Sequence, residues 1–138
     1  MNNTNTKSEN FMEKQENIDK SNCKNILVVE DNKEIQDSLK LALEMEGYNV
    51  FTANNGKEGL GQLSKIPTPC MILLDLMMPV MNGWEFVDEI NKNTMFTTIP
   101  IIVVSAYGDK KGTPKSNGYI QKPIDLDALL DTVSKHCG

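Results

Sequence analysis

The sequence predicts an α/β fold in which helices cover both faces of a doubly wound, five-stranded parallel sheet. The first observation is a series of short apolar runs rich in Val, Ile and Leu, which are typical of strands buried on both faces. The second is that segments with helical periodicity follow most of these runs. Strands that alternate with helices favour right-handed crossovers, and these crossovers make neighbouring strands parallel.

Each element has its own signature, and the predicted strands read in order NILVVE, YNVFTA, CMILLD, PIIVVSA and GYIQKP. The first helix, DNKEIQDSLKLALEMEG, has one apolar face and ends at Gly47. The second, NNGKEGLGQLSK, is capped by Asn54 or Asn55 and is weakened by its glycines. The third is NGWEFVDEINK, and the last, IDLDALLDTVSKHCG, repeats apolar residues with helical spacing: Leu126, Leu129, Leu130 and Val133.

The length predicts a single domain, and the composition is typical of globular proteins. The chain has 138 residues, of which 39% are hydrophobic and 24% are charged. Its net charge of -5 and its lack of a Lys/Arg stripe argue against nucleic-acid binding. No apolar run reaches the length of a membrane span, and the N-terminus lacks the apolar core of a signal peptide. We therefore expect no membrane association and a cytoplasmic location.

The chain divides into a tail and a domain. Residues 1–24 are rich in Asn, Lys and Glu, and their few apolar residues form no stripe. Such a segment buries too little surface to offset its ordering entropy, so we predict a disordered N-terminal tail. The alternative is a docking segment that folds on a partner. Residues 25–138 form the predicted domain.

The three cysteines, Cys23, Cys70 and Cys137, are scattered along the chain, and no CxxC pair occurs. The adjacent His136 and Cys137 do not form a metal site on their own. We therefore expect reduced, structurally passive thiols.

Polar side chains collect at one predicted edge of the sheet. In open α/β sheets the ligand site lies beyond the carboxyl ends of the strands. The second strand ends in Ala53 and places nothing polar there. The other strands end in three carboxylates, one hydroxyl and one ammonium group: Glu30, Asp31, Asp75, Ser105 and Lys122.

This set of groups suits phosphoryl transfer. Three neighbouring carboxylates repel one another and offer hard oxygen ligands, as in a Mg²⁺ site that retains its waters. Mg²⁺, Lys122 and a hydroxyl group around a carboxylate are the parts that stabilise a transferring phosphoryl group. A carboxylate can be the nucleophile. Asp75 is the best candidate, because it follows a rigid apolar strand in the stretch ILLDLMMP.

In order along the chain, these motifs resemble the receiver domain of bacterial two-component response regulators. The matching features are the acidic pair Glu30–Asp31, the block LLDLMMPVMNGWEF, the strand IIVVSA and the pair Lys122–Pro123. The resemblance covers about residues 25–138. It implies a flavodoxin-like sheet with strand order 2-1-3-4-5.

The resemblance also implies a Mg²⁺ cofactor. Asp31 and Asp75 would ligate the ion through carboxylate oxygens, and Met77 would do so through its backbone carbonyl. Glu30 would contribute directly or through a water molecule.

The same resemblance implies roles around the transferred group. Asp75 would accept the phosphoryl group from a phosphohistidine on a sensor histidine kinase or a histidine phosphotransfer protein. Lys122 would pair with a phosphoryl oxygen, and Ser105 would move toward it. Tyr119 would be the switch aromatic that turns inward, and the Lys122–Pro123 bond would be cis.

The sequence departs from the family between the fourth and fifth strands. The segment AYGDKKGTPKSNG contains three glycines and a proline, has no apolar stripe and is too short for a full helix with two loops. We predict that the family's fourth helix is missing or much shortened. This puts the usual output and dimerisation face in doubt, as it does the switch role of Tyr119, and we expect a monomer.

Two functions remain open. The first is a single-domain response regulator that docks on an unknown downstream protein or passes its phosphoryl group onward. It would be no enzyme, because it would catalyse only its own phosphorylation and dephosphorylation. The alternative is a receiver-like scaffold that is never phosphorylated. A phosphohydrolase of the haloacid dehalogenase type is disfavoured, because Met77 stands where its second Asp would be.

Overall fold

The computed structural model describes residues 23–106 and 114–137. The predicted disordered tail, residues 1–24, lies outside this range apart from its last two positions, so the prediction is not tested.

Five strands and four helices are present among the described residues, each close to its predicted position. The strands are β1 (Asn25–Val29), β2 (Asn49–Ala53), β3 (Met71–Leu74), β4 (Ile101–Ser105) and β5 (Gly118–Gln121). The helices are α1 (Lys33–Met45), α2 (Gly56–Leu63), α3 (Gly83–Asn91) and α4 (Leu126–Cys137).

The strands form one parallel sheet in the order β2-β1-β3-β4-β5. This is the flavodoxin-like order predicted from the sequence. The register places Val29 of β1 beside Ala53 on one side and Leu74 on the other. Since these strands end together, the residues that follow them meet at one carboxyl edge.

Each face of the sheet is covered by two helices, as the buried apolar runs predict. One face packs against α1 and α4 through residues such as Leu39, Leu43 and Val133. The other packs against α2 and α3 through Leu63 and Phe86, among others. Leu126, which was predicted to share the inner face of α4, is instead 47% exposed. It is the first residue of that helix and lies beyond the edge of the core.

Asparagine caps fix where the first three helices begin. The side chains of Asn32, Asn55 and Asn82 each accept a hydrogen bond from the backbone N–H three residues later. Asn82 also forms a capping box, because the Glu85 side chain accepts a bond from its backbone N–H. These caps hold the loops at the carboxyl edge of the sheet.

The connection between β4 and β5 has only residues 106–117 available. Its described positions, Ala106 and residues 114–117, contain no helix. Residues 107–113 lie outside the described range, and the prediction of a missing or much shortened fourth helix depends on them as well.

The expectation of three reduced, passive thiols is wrong for two of the cysteines. Cys70 and Cys137 form a disulfide, with their Cα atoms 5.6 Å apart, and Cys23 is free. The two partners are 67 residues apart in the chain, so their spacing alone did not indicate the pair. The fold brings them together because Cys70 precedes β3 and Cys137 ends α4, on the same side of the sheet.

Candidate functional site

Three carboxylates meet at the carboxyl edge of the sheet. Glu30 and Asp31 follow β1, and Asp75 follows β3, the neighbouring strand. One oxygen atom from each lies within 4.8 Å of the other two. Glu30 and Asp75 are buried, whereas Asp31 is exposed. The group therefore reaches from the core to solvent, so an ion bound there would be open to water on the side of Asp31.

The position of Asp75 is fixed by the backbone on both sides. Its N–H donates to the carbonyl oxygen of Val29 at 2.9 Å, which continues the pairing of the central strands. Its Oδ1 accepts a hydrogen bond from the backbone N–H of Leu76, also at 2.9 Å. Only 5% of the residue is exposed. The carboxylate is thus presented from a rigid strand end, as the apolar run around it predicted.

Lys122 supplies the positive charge. Its Nζ lies 2.7 Å from Oε1 of Glu30 and 3.5 Å from Oδ1 of Asp75. Its backbone N–H donates to the carbonyl oxygen of Ser105, which ties the end of β5 to the end of β4. The following Lys122–Pro123 bond is cis, as expected from the resemblance. The shorter contact shows that Lys122 pairs mainly with Glu30 in this state.

Burial raises the pKa of Asp75 from 3.8 to about 6, and the neighbouring charge of Glu30 adds to this effect. Lys122 lowers the pKa of Asp75 but does not compensate fully, and Asp31 raises it further. The single positive charge of Lys122 therefore does not offset the burial of Asp75 and the negative charges of Glu30 and Asp31. A cation beside Asp75 would favour its ionised, nucleophilic form.

Ser105 ends β4, and Tyr119 lies on the neighbouring strand β5, where it pairs with Val103. Ser105 is fully buried at the end of its strand. Its carbonyl oxygen accepts a bond of 3.4 Å from the hydroxyl group of Tyr119, which is half-buried. Ser105 thus stands at the same edge as Asp75, and the hydroxyl group of Tyr119 reaches toward that edge from within β5. The role of both as switch residues stays a prediction.

The loop after Asp75 brings backbone close to the site. Gly83 has no room for a side chain: an added Cβ would lie 2.6 Å from the carbonyl oxygen of Asp75. Its N–H donates to the carbonyl oxygen of Leu76 at 2.9 Å. Met77, whose backbone carbonyl is the predicted ligand, is 63% exposed, and Val80 has φ of 68°. The close approach at Gly83 was not predicted from the sequence.

The donor set fits a magnesium ion. Carboxylate oxygens are hard ligands, and Mg²⁺ is typically held by one or two of them while it retains several waters. Exposed Asp31 and buried Asp75 offer such oxygens within 4.8 Å of each other. Zinc and copper prefer His or Cys ligands, and neither residue type belongs to this cluster.

Comparison with known proteins identifies the family. The profile of the response regulator receiver domain matches residues 26–134. The chain therefore belongs to the response regulator receiver domain family. Such domains take part in two-component signalling, interact with histidine kinases and phosphotransfer proteins, bind Mg²⁺ at an acidic site, and are generally signalling domains rather than enzymes.

Individual relatives agree with this assignment. The chain is 30% identical to protein PilH of Pseudomonas aeruginosa over 117 residues, which are 79% of this chain and 93% of PilH. The solved structure of the response regulator TrrA from Thermotoga maritima, in complex with Mg²⁺ and BeF, is 33% identical with a TM-score of 0.73; the match covers 81% of this chain and 97% of that one.

The chemotaxis protein CheY4 of Vibrio cholerae has a similar fold, with a TM-score of 0.74 and 27% identity. That match covers 83% of this chain and 98% of CheY4. Within the described ranges, none of the four helices combines the length and the hydropathy that a membrane span requires.

Proposed function

We propose that this protein is a response regulator that accepts a phosphoryl group on Asp75 from a phosphohistidine in a Mg²⁺-dependent reaction. The observation that carries the proposal is the position of Asp75: it is buried, held on both sides by backbone, and within 4.8 Å of two further carboxylates. Lys122 stands 3.5 Å away. The phosphorylated protein would signal through altered protein contacts or by passing the phosphoryl group onward.

In the proposed reaction a carboxylate oxygen of Asp75 attacks phosphorus while the phosphorus–nitrogen bond of the phosphohistidine breaks. The imidazole leaves and regains a proton. Mg²⁺ would be held by Asp31, Asp75, the backbone carbonyl of Met77 and Glu30, and when bound it would neutralise charge that develops on the phosphoryl oxygens. The chain would catalyse only this reaction on itself and the later loss of the phosphoryl group.

Lys122 provides a way to respond to the new group. Its ammonium lies closer to Glu30 than to Asp75, at 2.7 Å against 3.5 Å. A phosphoryl group on Asp75 adds negative charge, so Lys122 would move from Glu30 toward a phosphoryl oxygen. Ser105, at the end of the neighbouring strand, would turn toward the same group, and Tyr119 would follow.

A groove beside Lys122 suits the phosphoryl donor. It has a volume of about 370 Å³ and lies between α1 and the start of α4. Its apolar lining includes Ile35, Ile124 and the exposed Leu126. We propose that a helix of a sensor histidine kinase or a histidine phosphotransfer protein docks here, because the groove leads to the ammonium beside Asp75.

We also propose that the protein is a monomer, that it is located in the cytoplasm and that it does not bind nucleic acid.

The test is phosphorylation by a small donor. Purified protein incubated with Mg²⁺ and acetyl phosphate should gain the mass of one phosphoryl group, and Asp75→Asn should abolish the gain. Asp88→Asn, which changes an exposed aspartate on α3, should leave it unchanged. If the wild type gains nothing, the chain is a scaffold that signals by constitutive contact. If another residue is modified, the assignment of Asp75 is wrong.

A further inference from the structure

One polar side chain is buried on the apolar face of α1. Gln36 is 2% exposed and shares its face with Leu39 and Leu43, which follow it with helical spacing and are also buried. An amide left without hydrogen bonds in such a place would cost about 1–3 kcal/mol. The hydrogen bonds of the Gln36 amide therefore explain why a polar side chain is tolerated on this buried face.

The side-chain amide of Gln36 joins the ends of two strands. Its Nε2 lies 2.9 Å from the carbonyl oxygen of Glu30, at the end of β1. The same nitrogen lies 3.0 Å from Oδ1 of Asn54 and 3.3 Å from the carbonyl oxygen of Ala53, at the end of β2. Its Oε1 accepts a bond of 3.4 Å from Lys33. These strand ends are next to the acidic cluster.

The bond to Glu30 bears directly on the acidic cluster. The N–H of Glu30 donates to the carbonyl oxygen of Ala53 at 3.0 Å, so Gln36 and Ala53 together hold this residue at both backbone groups. The carbonyl that Gln36 contacts belongs to the peptide between Glu30 and Asp31. Rotation of that peptide would redirect the side chain of Asp31, because the peptide leads directly to its Cα, and Asp31 is exposed.

We propose that Gln36 is a positioning residue for the divalent cation: it fixes the Glu30–Asp31 peptide so that both carboxylates face Asp75. This inference rests on the proposed function, because the cation is the one that function requires. Without the amide, the carboxylates would have to be brought together each time the ion binds. The affinity for Mg²⁺ would fall, while the rate at saturating Mg²⁺ would be nearly unchanged.

The variant Gln36→Met, with Gln62→Met as the matched control, tests this inference. Gln62 also donates from Nε2 to a strand carbonyl, that of Thr52 at 2.8 Å, but it lies on α2 and contacts no residue of the cluster in the described structure. The Mg²⁺ concentration for half-maximal phosphorylation by acetyl phosphate should rise about tenfold or more in Gln36→Met, as for other residues that orient metal ligands. In Gln62→Met, the Mg²⁺ concentration for half-maximal phosphorylation should stay within about twofold of the wild-type value.

Binding is also measured without phosphorylation, from the rise of the melting temperature with Mg²⁺ concentration. If Gln36→Met does not fold, Asn54→Ala replaces it: Asn54 is exposed, and its replacement removes one of the hydrogen bonds that hold the amide of Gln36. That variant should shift the Mg²⁺ requirement in the same direction, by a smaller factor.

Two of the three outcomes separate the inference from the proposed function. An unchanged Mg²⁺ requirement in folded Gln36→Met, or equal shifts in Gln36→Met and Gln62→Met, overturns the inference while phosphorylation of the wild type stands. A wild type that binds Mg²⁺ without becoming phosphorylated overturns the proposed function, and the melting temperatures still decide the role of Gln36. A wild type that binds no Mg²⁺ overturns both.

Discussion

The two edges of the sheet differ in what holds them together. At the carboxyl edge, the acidic residues Glu30 and Asp75 are 2% and 5% exposed. Among the described residues, Lys122 is the cation that pairs with both of them. At the amino edge, Cys70 and Cys137 join β3 to α4 covalently inside an apolar cluster. One edge concentrates reactive groups that oppose folding, and the other concentrates contacts that favour it.

We infer that contacts at the amino edge supply folding stability that offsets the cost of the buried carboxylates at the carboxyl edge. A carboxylate whose pKa is raised to about 6 destabilises the folded state at neutral pH. A buried crosslink over 67 residues acts in the opposite direction. Changes at the amino edge should therefore alter stability without altering chemistry, and changes at the carboxyl edge should alter both.

The largest effect is expected from the disulfide. Reduction, or the variant Cys137→Ala, should lower the free energy of unfolding by about 2–4 kcal/mol, because the unfolded chain loses its loop constraint. Urea denaturation with and without a reducing agent measures this. The free Cys23 provides the control, since Cys23→Ser should keep the midpoint of the oxidised wild type. Equal midpoints for the reduced and oxidised wild type would show that the amino edge does not supply the stability.

The titration of Asp75 should give the next largest effect. Its folded pKa of about 6 lies above the ordinary 3.8, so the folded state binds the proton more tightly than the unfolded state. Stability is therefore highest below about pH 4 for this group and is lost as the pH rises through 6, by at most about 3 kcal/mol. Unfolding in urea from pH 4 to pH 7, with a chelator present, measures the loss.

Asp75→Asn cannot ionise, so it should lack this component and should be more stable than the wild type at pH 7. A variant whose pH profile matches that of the wild type would show that Asp75 is not the titrating group.

Bound Mg²⁺ should stabilise the carboxyl edge and so reduce the difference in stability between the two edges. An ion that binds only the folded state stabilises it by about 2.7 kcal/mol at a hundredfold excess over its dissociation constant. Thermal denaturation at increasing Mg²⁺ should show the rise, and Asp31→Ala should remove most of it. Asp37→Ala, at an exposed position on α1, should respond like the wild type. A melting temperature of Asp31→Ala that still rises normally would exclude Asp31 as a ligand.

The smallest effect concerns backbone strain at the carboxyl edge. Val80 has φ of 68°, a conformation that β-branched residues rarely adopt. Val80→Gly should relieve the strain, and after the added entropy of the unfolded chain the net gain should be about 1 kcal/mol or less. Val80→Ala keeps a Cβ at the same φ and should gain less than glycine. A loss of stability in Val80→Gly would mean that the exposed valine side chain makes a compensating contact.

The elements and the composition of the site followed from the sequence for local reasons. Strand and helix periodicity depends on near neighbours, so the runs around β1, β3 and β4 were readable directly. The rule that ligand sites lie beyond strand ends then selected Glu30, Asp75 and Lys122 together, although they are far apart in the chain. Sheet order came from the resemblance to the family, and the structure confirms it.

Other features had no local signal. Gln36 was visible as a polar residue at the inner spacing of α1, but nothing in the sequence indicated that its amide reaches two strand ends. The close approach of Gly83 to the carbonyl oxygen of Asp75 likewise came only from the structure.

The strands, the helices and the set of charged groups at one edge of the sheet were all predictable from the order of the residues. The pairs that form became known only from the folded chain: Lys122 lies closer to Glu30 than to Asp75, and Cys70 bonds to Cys137. Periodicity specifies which face of an element is buried, and it acts over a few residues. Pairing depends on distances between atoms that are remote in the chain, and only the packing of the helices on the sheet sets those distances.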